Sequence, residues 1–273
     1  MSEVTVQGLN IVYDVAGPTD AAHTIILIHG HPFNRSMWSP QVEALRLHYR
    51  VVTFDLRGYG QSDLPPTNNT LLEDFARDIA ALMDSLHIPS AVIGGLSMGG
   101  QIAMAFYDLF PSRVRALILA DTFAQLDTPE NKAMRYRVAD RLEAEGMAGY
   151  ADEVISKMVC PATLENKPAV AQHVLTMMRT TPPLGAAAAL RGRSERKDYT
   201  PLLAEIAVPT LVVVGDQDAY TPVPDAEYIH HRVPASELVV IEASGHMPNL
   251  EQPAVFNDHL LRFLRTRLMT ANK

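Results

Sequence analysis

The stretch Gly94–Gly100, GGLSMGG, sets one serine among four glycines. Glycines so spaced suit either of two chemistries. A phosphate-binding loop needs Gly-x-x-x-x-Gly followed by Lys and Ser or Thr, because the ammonium answers the phosphate charge and the hydroxyl holds magnesium. Gly94 and Gly99 have that spacing, but Gly100 and Gln101 stand where Lys and Ser/Thr are required. The same residues also read Gly-x-Ser-x-Gly from Gly95 to Gly99. Small residues two places either side of a serine let a strand-to-helix turn close and push the hydroxyl outward. Ser97 is therefore the predicted nucleophile.

A serine hydroxyl is weakly nucleophilic at neutral pH until a base takes its proton and an acid orients that base. VVVGDQDAYTP puts Asp218 just past a strand-like run, and VVIEASGHMPNLEQP puts His246 in the loop after the last such run. Asp121, also after a strand-like run, is the alternative acid. Asp216, two residues from Asp218, should face away. A developing oxyanion needs N–H donors, and the turn supplies that of Met98, directly after the nucleophile. The second is expected from HGHPF, His29–Phe33: His31 is favoured over Phe33, and Pro32 has no N–H to give.

These residues need a rigid frame. Unbroken apolar runs TIILIH, RVVTFD, AVIGGL, ALILAD, TLVVVGD and ELVVIEA suit strands covered on both faces of a parallel sheet. Amphipathic segments separate most of them, with Leu72, Phe75, Ile79, Leu82, Met83 and Leu86 on one stripe and Phe256, Leu260, Phe263 and Leu264 on another. The alternation predicts an α/β protein. The N-terminal SEVTVQGLNIVYDVAG alternates instead and is broken by Gly8, so it reads as an antiparallel hairpin at the sheet edge. From Thr122 to Ala204 no strand-like run occurs. Residues 122–204 are read as an all-helical insertion, a lid over the site, within a core of residues 1–121 and 205–273.

The chain has 273 residues and a net charge of -8, so neither nucleic acid nor an anionic membrane surface is an expected partner. Its single cysteine, Cys160, forms no intrachain disulfide and no cysteine-based zinc cluster. No metal or cofactor is expected. The start lacks a basic leader with an apolar run, which suggests a cytoplasmic protein; self-association is left open. His29, His230, His231 and His259 read as packing or surface side chains, for no metal-ligand spacing links them. DLRGYGQS, with Asp55, Arg57, Gly58, Gly60 and Ser62, reads as a turn bracing the oxyanion loop. Phe33, Trp38, Phe123, Met134 and Met247 are the apolar candidates for a substrate pocket. Arg179, Arg191 and Arg193 read as a solvated, charge-balanced face, with contact to an anionic substrate as the alternative.

Taken together, HGHPFNRSMW, DLRGYGQSD, GGLSMGG, VGDQDAYTP and SGHMPNLEQP resemble the motifs of the α/β-hydrolase fold superfamily, in order and across essentially the whole chain. Within it the sequence is most similar to small carboxylesterases and the 3-oxoadipate enol-lactonase-like group. The resemblance implies a mostly parallel central sheet flanked by helices, a helical cap at 122–204, and Ser97, Asp218 and His246 as nucleophile, acid and base. Haloalkane dehalogenases and epoxide hydrolases share the HGHP-type loop but carry aspartate as nucleophile, so neither activity is expected. The expected reaction is cleavage of a small-molecule carboxylic ester or lactone through an acyl-enzyme. C–C bond hydrolysis, perhydrolysis or hydroxynitrile lysis on the same scaffold, or a slow-turnover ligand receptor, are the alternatives.

Overall fold

The computed structural model describes residues 1–268. Along the chain run β1 (Ser2–Val6), β2 (Leu9–Ala16), β3 (Thr24–Ile28), α1 (Ser39–Leu45), β4 (Arg50–Phe54), α2 (Leu72–Ser85), β5 (Ala91–Leu96), α3 (Met98–Leu109) and β6 (Val114–Ala120). Six helices follow: α4 (Pro129–Glu145), α5 (Ala148–Met158), α6 (Pro161–Asn166), α7 (Pro168–Thr180), α8 (Pro183–Ser194) and α9 (Thr200–Leu203). The chain then returns through β7 (Thr210–Gly215), α10 (Val223–His230), β8 (Ser236–Ile241), α11 (Pro248–Glu251) and α12 (Pro253–Leu268).

One eight-stranded sheet has the order β1-β2-β4-β3-β5-β6-β7-β8. β1, β2 and β4 pair antiparallel, and every other neighbouring pair is parallel. The alternating N-terminal segment is thus a hairpin at the edge. The unbroken apolar runs are explained by two cores, because successive side chains on a strand point to opposite faces. Ile26, Ile28, Ile93, Leu117, Leu119, Val212 and Val214 join the stripes of α2 and α3 on one face. Ile25, Leu27, Val92, Ile118, Leu211 and Val213 join Phe256, Leu260, Phe263 and Leu264 of α12 on the other. β8 departs from the pattern: it is the other edge strand, and its Val240 is exposed.

Between β6 and β7, α4 and α8 have a small apolar centre of their own, with Ala139, Leu142, Ala186, Ala187 and Leu190. Met158, Val174, Met177 and Met178 from α5 and α7 instead join the α12-side core. Cys160 is buried. Among the described residues no helix is long and apolar enough to cross a membrane.

Candidate active site

Ser97 occupies the junction of β5 and α3 with φ +58° and ψ −117°, a conformation that costs an L residue about 1–3 kcal/mol. The surroundings enforce it. The Ser97 N–H donates to the Ala120 carbonyl at 2.9 Å, and the Thr122 hydroxyl donates to the Ser97 carbonyl at 2.7 Å. A Cβ on Gly95 would overlap the Gly99 carbonyl, and one on Gly99 would overlap the carbonyl of Ile28 at the end of β3. Gly94 and Gly100 are crowded by side chains, those of Leu27 and Ile118 and that of Thr122. The loop after β3 runs against the same turn: a Cβ on Gly30 would lie 3.2 Å from Ser97 Cβ.

Asp218, past β7, is held by the N–H groups of Tyr220 (2.7 Å) and Thr221 (3.1 Å) and by the Thr221 hydroxyl. Its Oδ2 accepts from His246 Nδ1 at 2.7 Å. Burial alone would raise the Asp218 pKa, but the facing imidazole and these donors hold it below the ordinary carboxylate range. Asp121 is fully enclosed and differently employed: its Oδ1 accepts from the Gly215 N–H at 2.9 Å and its Oδ2 has no partner. Burial and the nearby Asp218 charge raise its pKa well above the usual range. Asp216 turns to the surface, where it caps the Ser244 N–H. Asp121, Asp218 and His246 are the one group of three potential metal donors among the described residues, within 4.8 Å of one another. Asp218 and His246 already engage each other there.

The amide N–H groups of His31 and Met98 have no protein acceptor among the described residues, whereas that of Phe33 is taken by the Gly30 carbonyl at 3.0 Å. The His31 ring is buried; desolvation, with Arg193 and Arg135 nearby, lowers its pKa well below the usual value. Its Nδ1 bonds the hydroxyl of Tyr59 at 2.8 Å. The DLRGYGQS turn does brace this loop. Asp55 accepts from the Arg35 and Gln61 N–H groups, each at 2.9 Å, and His29 Nε2 receives the Leu56 N–H at 3.0 Å. Tyr59 went unrecognised in the sequence because nothing local marks which aromatic ring points inward.

Glu251 was also invisible from spacing. Buried in α11, its carboxylate accepts from the N–H groups of Gly245 (2.8 Å) and Met247 (3.2 Å), on either side of His246, and from that of Cys160 (2.7 Å). It thereby ties the histidine loop to the helices between β6 and β7.

Ser97, His31 and His246 line a cavity of about 430 Å³, whose other lining residues come mostly from between β6 and β7 and whose volume is within the size range of small-molecule sites. Phe123 and Met134 line it. Phe33, Trp38 and Met247, expected in the pocket, are fully buried in the α12-side core, where Trp38 packs 6.3 Å from Phe256. Large apolar side chains next to the loops gain more by filling the core than by facing a partly wet cavity. A larger hollow of about 610 Å³ lies at Arg35, but that guanidinium is already paired with Asp14 and Asp55 and no residue of the serine site reaches it. Arg179 pairs with Asp152, and Arg191 with Asp140 and Glu143, as a balanced face requires. Arg193 does not belong to that face; it is buried and lines the cavity.

The family model of the α/β-hydrolase fold matches residues 23–253. A 3-oxoadipate enol-lactonase of Acinetobacter baylyi is 32% identical over 250 residues, spanning 92% of this chain and 91% of that relative. Among solved structures, a thermophilic esterase of Thermogutta terrifontis, with malate bound, shows a TM-score of 0.93 at 37% identity, covering 97% of this chain and 99% of that one. The enol-lactonase of Burkholderia xenovorans follows at 0.90 and 28% identity, covering 97% and 100%. With the sheet order, the strained serine turn and the family match in agreement, the chain belongs to the α/β-hydrolase fold family.

Proposed function

We propose that the protein is a serine hydrolase of carboxylic esters or lactones that acts through an acyl-enzyme on Ser97. The observation that carries this reading is the 2.7 Å bond from His246 Nδ1 to Asp218, buried beneath the cavity that Ser97 and His246 line. The esterase and enol-lactonase relatives support the substrate class. Ser97 Oγ attacks the acyl carbon while His246 Nε2 takes its proton. Asp218 accepts from Nδ1–H throughout, fixing the tautomer and stabilising the imidazolium. The oxyanion rests on the N–H groups of His31 and Met98, with the positive end of α3 beneath it. His246 then protonates the leaving alkoxide. Water, deprotonated by the same nitrogen, attacks the acyl-enzyme and releases the acid and Ser97.

The helices of residues 122–204 act in this scheme as a cap that shapes the pocket. Replacing the nucleophile tests the scheme: Ser97→Ala should lower kcat for p-nitrophenyl acetate by about 10³-fold or more while the fold persists. Retention of more than a few per cent of turnover would refute it.

A further inference from the structure

Arg193 sits in the last turn of α8, a helix buried around most of its circumference. Its Nε donates to Gln101 Oε1 at 2.7 Å, and Gln101 in turn donates to the Phe123 carbonyl at 3.3 Å. The Phe123 ring centre lies 5.7 Å from the guanidinium carbon. The head group is therefore fixed in place. A guanidinium has five N–H donors; here burial, with Arg135 and Arg196 close by, disfavours the charge and lowers the pKa of Arg193 well below its usual value. No carboxylate among the described residues pairs with this one.

Its neighbours sharpen the imbalance. Arg135 and Arg196 both bind Asp127, which leaves Arg193 without a carboxylate of its own. The remaining acid of the lining, Asp225, lies beyond Asp218 in the first turn of α10 and makes no bond to Arg193. A buried charge without a partner is costly unless a ligand supplies the counter-charge. Gln101 stands four residues after Ser97, about 6 Å further along the direction of α3. Arg193 and Ser97 line the same cavity, so an anion on the one and an acyl carbon at the other suit a single small molecule.

We infer that Arg193 is the carboxylate-binding residue of the active-site cavity, and that the substrate is a short ester or lactone bearing a second, free carboxylate. This rests on the ester-hydrolase reading. The guanidinium receives the carboxylate as a bidentate fork, which orients the scissile carbonyl toward Ser97.

The test is the ratio of kcat/KM for monoethyl succinate over ethyl butyrate, in which a methyl group replaces the carboxylate. The wild type should favour the charged ester at least tenfold. Arg193→Met should bring the ratio to unity or below, and Arg193→Lys, which keeps charge without the fork, should lower it severalfold. A wild-type preference for ethyl butyrate, or a ratio the same in wild type and folded variants, overturns the inference. Should Arg193→Met fail to fold, the wild-type and Arg193→Lys ratios decide. Succinate binding to Ser97→Ala protein, measured by calorimetry and lost with the added Arg193→Met, reads the anion site without turnover. Failure of the hydrolase reading looks different: the wild type cleaves neither ester, while succinate binding still reports on Arg193.

Discussion

At the scale of single residues, two aspartates compete for one histidine, and their partners separate them. Asp218 is ionised and bonded to His246 Nδ1, whereas enclosed Asp121 holds its proton to far higher pH than usual. Asp218→Asn should lower kcat by about 10³–10⁴-fold, since the amide no longer orients the imidazole. Asp121→Asn should leave kcat within a few-fold. The two variants should also differ in stability against pH. A raised folded pKa means that the unfolded chain releases this proton first, so Asp121 costs stability as pH climbs above its ordinary value of 3.8. Thermal melts should place Asp121→Asn above the wild type at pH 8, with the gap closing towards pH 4. Equal kcat losses in the two variants would contradict the assignment of the acid.

Ser97, Asp218 and His246 were legible because each lies just after a strand-like run, in a loop whose composition is unusual. Arg193 was legible only as the less favoured reading, contact with an anionic substrate, because an arginine's sign of charge says nothing about its direction. Its position did hold a signal: Ala186, Ala189, Leu190 and Arg193 follow i, i+3, i+4, i+7 spacing, which puts the arginine on the apolar stripe while Arg191 points away.

At the scale of elements, the site depends on the close approach of β5, α3 and the loop after β3. Gly99 allows α3 to start against the Ile28 carbonyl, so Gly99→Ala should destabilise the protein by about 2 kcal/mol or more through backbone displacement. Gly149, near the start of α5, has open space around its missing side chain. Gly149→Ala should be neutral or stabilise by up to about 1 kcal/mol through helix propensity. Urea denaturation of the two variants checks the contrast, and similar midpoints would refute it. The sheet itself was readable, since strands covered on both faces are apolar without interruption. The expected pocket lining was less so: Phe33, Trp38 and Met247 turned to the core, a choice made by neighbours distant in sequence such as Phe256. Glu251 escaped for the same reason, because its three N–H donors come from two separate loops.

At the scale of the molecule, an acidic chain of net charge -8 encloses a local excess of guanidinium groups around the cavity that Ser97 lines. The family match over residues 23–253 accounts for the frame, while the helices between β6 and β7 give the cavity its own lining. In the proposed mechanism Ser97 carries the acyl group between two half-reactions. Rapid mixing with p-nitrophenyl acetate, followed by acid quench and peptide mass spectrometry, tests it most directly. A burst of p-nitrophenol is expected, with a mass gain of one acetyl group on the peptide containing Ser97, absent from Ser97→Ala. Steady turnover by the wild type with the acetyl group on another residue, or with no covalent intermediate at any quench time, would contradict it.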